Sequence, residues 1–289
     1  MVRARLKVRA SGLAVALILA ICAALALAPA ASASSGPGYV SARSAAIENA
    51  ATGQLLWKRG LNTERPMGSI TKVMTALVVI DAGHLNRKIT VPYSVLSYLS
   101  EYDASSAGLV PGDKLTARQL LYALMLPSGC DAAYVLAKAY GPGLTGFINK
   151  MNATAKKLGM TRTHFANFDG LPWPGEYSTY STAASLLKLG QAAMKSSVFR
   201  AIAGKRTYRI AAGSGHHGYA WHNLDPLLGV YPGATGIKTG FTLAAGHCLL
   251  FAATRHGRSL IGVTLDSSGA GTTVNGTDAT RLLNWAFSR

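Results

Sequence analysis

The stretch Ser69-Ile70-Thr71-Lys72-Val73-Met74-Thr75-Ala76-Leu77-Val78-Val79-Ile80-Asp81 reads as a helix, and what stands on either side of it sets the fold. Val73, Leu77 and Ile80 recur on one helical face, Pro66 holds extended backbone just ahead, and Gly83 supplies the stop. Upstream, residues 45–48, 49–53 and 54–58 read as strand, turn and strand. Downstream, Thr116 with Gln119 forms a capping box that opens a helix running to about Leu126. Pro127-Ser128-Gly129 breaks that helix and residues 131–140 resume one; 144–158 and 181–194 add two more. The texture then changes. Residues 208–210, 236–241, 248–254 and 260–265 read as strands, and a last helix begins near Thr277. Strands at both ends with helices between them predict an α+β fold. One antiparallel sheet with flanking helices draws its strands from both termini, the central helices form an all-helical lobe, and a cleft lies between the two.

The first 33 residues read as an export signal. Arg3, Arg5, Lys7 and Arg9 precede an apolar run over 13–27 and the small residues Ala31-Ser32-Ala33, so cleavage is expected after Ala33 and 34–289 is expected to be a single domain. The competing reading is an uncleaved anchor, but a spanning helix needs about 20 apolar residues. Cys22 follows Ile21 rather than a small residue, which argues against a lipid anchor. The chain carries a formal net charge of +17. Its bases are scattered rather than clustered, so with an export signal an anionic cell-wall or membrane surface fits better than nucleic acid; the plain alternative is a generally basic secreted protein. Cys130 and Cys248 lie in apolar surroundings and are expected to be buried free thiols, with a bridge between them as the alternative.

Three short motifs stand in order: Ser69-Ile70-Thr71-Lys72, Ser128-Gly129-Cys130 and Lys238-Thr239-Gly240. Each alone is weak; together they fall on a helix start, a break between helices and a strand. Positions i and i+3 share a helical face, so Lys72 reaches the hydroxyl of Ser69. Burial and a nearby cation such as Lys238 would lower a lysine pKa enough to make it a base. Ser128, on the loop of the helical lobe, is placed to relay a proton. On the strand, Lys238 and Thr239 offer a cation and a hydroxyl to a carboxylate, Gly240 lets substrate backbone approach, and the N–H groups of Ser69 and Phe241 would form an oxyanion hole.

This motif set resembles that of the serine D-alanyl-D-alanine carboxypeptidases, the low-molecular-weight penicillin-binding proteins. The similarity extends through Leu109-Val110-Pro111-Gly112-Asp113, Thr163-His164-Phe165, Asp169-Gly170-Leu171, Tyr180-Ser181-Thr182-Ala183 and Tyr231-Pro232-Gly233. The resemblance implies a β-lactamase/transpeptidase-like fold and a serine acyl-enzyme on peptidoglycan stem peptides ending in D-Ala-D-Ala. It also implies release of the terminal D-alanine, with transpeptidation as a second outcome, inhibition by β-lactams, and no metal or organic cofactor. Ser69, Lys72 and Ser128 are then the expected catalytic residues, and Cys130, Lys238, Thr239, Gly240 and Phe241 the expected substrate-binding ones.

Two features depart from the family pattern. Cys130 stands where most relatives carry asparagine, and a thiol is a poor substitute for an amide that donates and accepts at once. A lost hydrogen bond of about 1–3 kcal/mol slows a reaction roughly ten- to a hundred-fold, which leaves slow turnover, or an inactive wall-binding protein, as the alternative to a full enzyme. The second departure is length: many relatives add a β-rich domain and an amphipathic anchor, so a soluble mature chain is expected. A class A β-lactamase would need a dedicated glutamate, and none of Glu48, Glu64, Glu101 or Glu176 has that context. His216, His217, His222 and His247 match no zinc spacing and are expected to be ordinary polar histidines.

Overall fold

A computed structural model describes residues 1–2, 36–268 and 274–289. The leader motifs from Arg3 to Ala33 lie outside the described residues. Pro37–Arg289 forms one compact unit. Among the described residues no helix is long and apolar enough to cross a membrane.

Strands β1 (Ser44–Asn49) and β2 (Leu55–Arg59) form the N-terminal hairpin, and the C-terminal half supplies β7 (Ala234–Thr242), β8 (Gly246–Arg255) and β9 (Arg258–Ser267). They build one antiparallel sheet in the order β2-β1-β9-β8-β7, so the two chain halves meet where β1 pairs with β9. Period-two alternation sends neighbouring side chains to opposite faces. Ala46 of β1 enters the core on one side, while Ala45 and Ile47 enter a second core with Leu282, Leu283 and Ala286 of the last helix, α8 (Val274–Phe287).

The opening stretch of sequence becomes a 3₁₀ turn (Gly68–Ile70) leading into α1 (Thr71–Ala82). The expectation of a single apolar face was too narrow: Thr71 to Val79 are all buried, because α1 runs through the middle of the molecule with other helices packed around it. That lobe holds α2 (Ser94–Glu101), α3 (Ala117–Met125), α4 (Cys130–Tyr140) and α5 (Gly143–Lys157). The capping box at Thr116 and Gln119 is present as read. Helices α6 (Ala183–Lys195) and α7 (Ser197–Ala203) pack back toward the sheet.

Parts of the sequence reading need correction. Residues 208–210 do not join the main sheet. β5 (Thr207–Ile210) pairs with β6 (Tyr219–His222) as a separate hairpin, since local alternation marks a strand without naming its partner. The short pair β3 (Lys88–Thr90) and β4 (Lys114–Thr116), together with α2 and α7, carried too few residues to show a period. The last helix starts at Val274, slightly earlier than expected.

Candidate active site

Edge strand β7 lies directly against the 3₁₀ turn. A Cβ on Gly68, which sits at φ +54°, would fall 2.7 Å from the amide nitrogen of Phe241, so glycine is needed for both the turn and the contact. The equivalent atom on Gly240 would collide with the carbonyl of Met67. These two glycines bring the third motif onto the first.

Lys72, one turn into α1, donates to Ser69 Oγ at 2.8 Å, to Ser128 Oγ at 3.3 Å and approaches Cys130 Sγ at 3.2 Å. The first two motifs therefore converge on one lysine nitrogen whose side chain is wholly buried. Ser128 occupies the left-handed region at φ +65°, unusual for a residue with a side chain and of the kind that concentrates at functional sites. The loop is held there from several directions. Ser105 Oγ donates to the Ser128 carbonyl, Cys130 N–H donates to the Ser105 carbonyl, and Asp131 accepts from Ser106 Oγ and from the amides of Ala107 and Leu109.

Across the cleft, Lys238 is also buried, with Nζ 3.2 Å from Thr239 Oγ1. Burial, reinforced by the charge of Lys72, pushes its pKa down to about 7, while Asp225 opposes the shift. Asp225 is itself raised to about 6 by burial. Behind Lys72 lies a second buried carboxylate, Asp169, which accepts from the Tyr98 hydroxyl and the Leu171 amide; burial raises its pKa and Lys72 opposes the rise. Burial likewise raises the Cys130 thiol, against the pull of Lys72.

The cleft is about 630 Å³, lined by Ser69, Ser128, Thr239, Gly240 and Phe241 with Ser105, Leu224, His247 and Asn275. Of the eight residues singled out from the sequence, these five face the open space. Lys72, Cys130 and Lys238 sit beneath it, and Cys130 meets Lys72 and Ser105 rather than the cleft. Sequence reasoning missed Ser105, Asp131, Asp169 and Asp225. Asp169 stood inside a quoted family motif, but the others are lone residues with no spacing to mark them. Of the four histidines, His217 bonds Asp113 and His247 packs its ring 4.7 Å from that of Phe241. Cys130 and Cys248 are both free and buried.

Residues 30–269 match the family model for D-alanyl-D-alanine carboxypeptidase. A D-alanyl-D-alanine carboxypeptidase of Streptomyces sp. strain K15 is 41% identical over 261 residues, covering 86% of this chain and 88% of that one. A second, from Mycobacterium tuberculosis, is 38% identical over 220 residues, covering 76% and 73%. The crystal structure of the Streptomyces K15 DD-transpeptidase superposes with a TM-score of 0.83 at 40% identity, over 89% of this chain and all of that one.

Proposed function

The chain belongs to the D-alanyl-D-alanine carboxypeptidase family, and from that premise we propose that Ser69 is the residue acylated when it works as a serine carboxypeptidase or transpeptidase on D-Ala-D-Ala stem peptides. The observation that carries this assignment is the 2.8 Å hydrogen bond between Lys72 Nζ and Ser69 Oγ at the mouth of a buried polar cluster. That is the reach a general base needs to its nucleophile.

Ser69 Oγ attacks the penultimate D-alanyl carbonyl while its proton passes to Lys72. The amides of Ser69 and Phe241 receive the charge that develops on the carbonyl oxygen, in a site that shields it from bulk water. The C–N bond to the terminal D-alanine breaks, and the departing amine takes the proton from Lys72 through Ser128, whose hydroxyl lies 3.3 Å from the ammonium. Thr239 and Lys238 hold the substrate's terminal carboxylate, and the exposed ring of Phe241 borders the stem peptide. Water, or an acceptor amine, then gives a proton to Lys72 and attacks the ester. Ser69 leaves with that proton restored. No metal or organic cofactor takes part in this sequence. β-Lactams enter by the same acylation and are expected to stop at the ester.

Residues 1–33 are read as a cleaved export signal, which places residues 34–289 at the cell wall or outside the cell; removing the four bases Arg3, Arg5, Lys7 and Arg9 from a chain of net charge +17 leaves 17 − 4 = +13, which favours anionic surroundings. N-terminal sequencing of the secreted protein tests the cleavage; a start at Met1 would contradict it. For the chemistry, D-alanine release from a D-Ala-D-Ala peptide is the assay. Ser69→Ala is expected to abolish it, and release at the wild-type rate from that variant would refute the assignment.

A further inference from the structure

Negative charge is distributed very unevenly over this molecule. Of its 12 acidic residues, Glu48, Asp113, Asp131, Asp169, Asp225 and Asp278 are buried. Most of those left near the surface lie elsewhere than on α5, α6 and α7: Glu64, Glu176 and Asp266 line one depression together with Arg43 and Arg65, which both pair with Asp266, and Glu101 and Asp103 flank Tyr102, whose ring stacks on Trp173. No acidic residue occurs between Asp131 and Asp169, or between Glu176 and Asp225, although these segments carry many lysines and arginines. The face formed by α5, α6 and α7 is therefore cationic and almost free of carboxylates.

That face is grooved. One cavity of about 480 Å³ lies between α1, α5 and α6 and is lined by Lys150, Lys157 and Lys195, with Asp81 as its only acid. A second, of about 500 Å³, begins on the other side of Lys195, takes in Arg200, Gln191, Thr235 and Thr254, and has no acid in its wall. Lys195 lines both, so the two adjoin along one run of the surface. Arg200 is fixed beside the junction by Nη1, which donates to the carbonyls of Met194 and Lys195 at the end of α6. All four cations are solvent-exposed. None of them takes part in an ion pair among the described residues.

We propose that this run is a docking groove for a linear polyanion of the cell wall, a chain of regularly spaced phosphates, which holds the enzyme on the wall while the cleft works on stem peptides. The proposal rests on the wall-side reading given above. Charge complementarity selects an anionic partner, and concavity selects a strand over a sheet-like surface. A bilayer contact also requires apolar side chains to insert, and none of the exposed large hydrophobic residues, such as Tyr93, Leu224 and Leu243, lines either cavity.

The test is binding of long-chain inorganic polyphosphate to the mature protein across a salt series, with penicillin acylation measured alongside. The groove variant replaces Lys150, Lys157, Lys195 and Arg200 by glutamine; a control variant replaces the exposed Lys88, Lys114, Lys205 and Arg209. The groove variant is expected to bind at least ten-fold more weakly. Its log–log salt slope should flatten by about 3, since each cation contributes roughly 0.7–0.9 through counterion release. The control should change by less than about three-fold, and both should acylate like wild type. Lys195→Glu alone, at the junction, should give a loss of several-fold even if the fourfold variant folds poorly. Equal losses in groove and control variants would reduce the effect to net charge and overturn the proposal. Phosphatidylglycerol vesicles binding as tightly as the polymer would put a membrane there and overturn it too. Loss of acylation in the wild-type protein would instead count against the catalytic reading.

Discussion

Lys238 is expected to destabilise the protein in which it works. It is 2% exposed, and its pKa stands at about 7 against an ordinary 10.5. In the unfolded chain the lysine keeps its proton up to its ordinary pKa, whereas the folded protein releases it near 7. Between those values the unfolded state binds more protons, so this group's contribution to stability rises with pH and is least favourable below pH 7. A shift of three to four units at 1.36 kcal/mol each makes the low-pH cost about 4–5 kcal/mol. Lys238→Met keeps the chain length and removes the charge. The variant is expected to exceed wild type by up to about 4–5 kcal/mol at pH 6, equivalent to roughly 10 °C or more in Tm for a chain of this size. Asp225, which faces Lys238, loses a favourable neighbour and trims the gain. The gap should close as pH approaches 10. Urea unfolding of both proteins at pH 6, 7.5 and 9 measures it, with unchanged slopes confirming that midpoints can be compared. The same variant should bind and acylate poorly, having lost its carboxylate-holding cation; gain in stability with loss of function is the mark of a site under strain. A stability gap that does not vary with pH, or a wild type more stable at pH 6, would refute the reasoning.

Two further outcomes follow from the lobe side of the cleft. Ser128→Gly removes the hydroxyl but suits φ +65°, so it should unfold at or above the wild-type midpoint while turnover drops about 10²- to 10⁴-fold; turnover within three-fold of wild type would remove Ser128 from the proton path. Cys130→Asn exchanges the weak Sγ contact to Lys72 for a charge-assisted bond to an amide oxygen, worth about 1–3 kcal/mol. D-alanine release should rise about ten-fold or more, and an unchanged rate would show that the thiol is not what limits turnover.

Much of the site was legible because its chemistry is local. Ser69 and Lys72 lie one helical turn apart, the Thr116–Gln119 cap fits within four residues, and Lys238 to Gly240 sit on a strand that alternation exposes. What spacing could not supply was partnership across the chain. The strand at Thr207–Ile210 was legible, but its pairing with β6 rather than the main sheet was not. Nor could periodicity show that α1 is enclosed on all sides, because a helix with threonine and lysine among its apolar residues reads as one-faced until its neighbours are known. The carboxylates behind the site illustrate the same limit. Asp225 meets Lys238 and Asp169 meets Tyr98 only through tertiary packing; Asp225 is a single acid in an ordinary sequence context, and the motif around Asp169 does not name its partner.

The central claim is that Ser69 carries the acyl group. Intact-protein mass after incubation with benzylpenicillin, run beside Ser69→Ala, tests it most directly. One penicilloyl adduct is expected on the wild-type chain and none on the variant. An adduct that persists on Ser69→Ala, or no adduct on either protein, would contradict it.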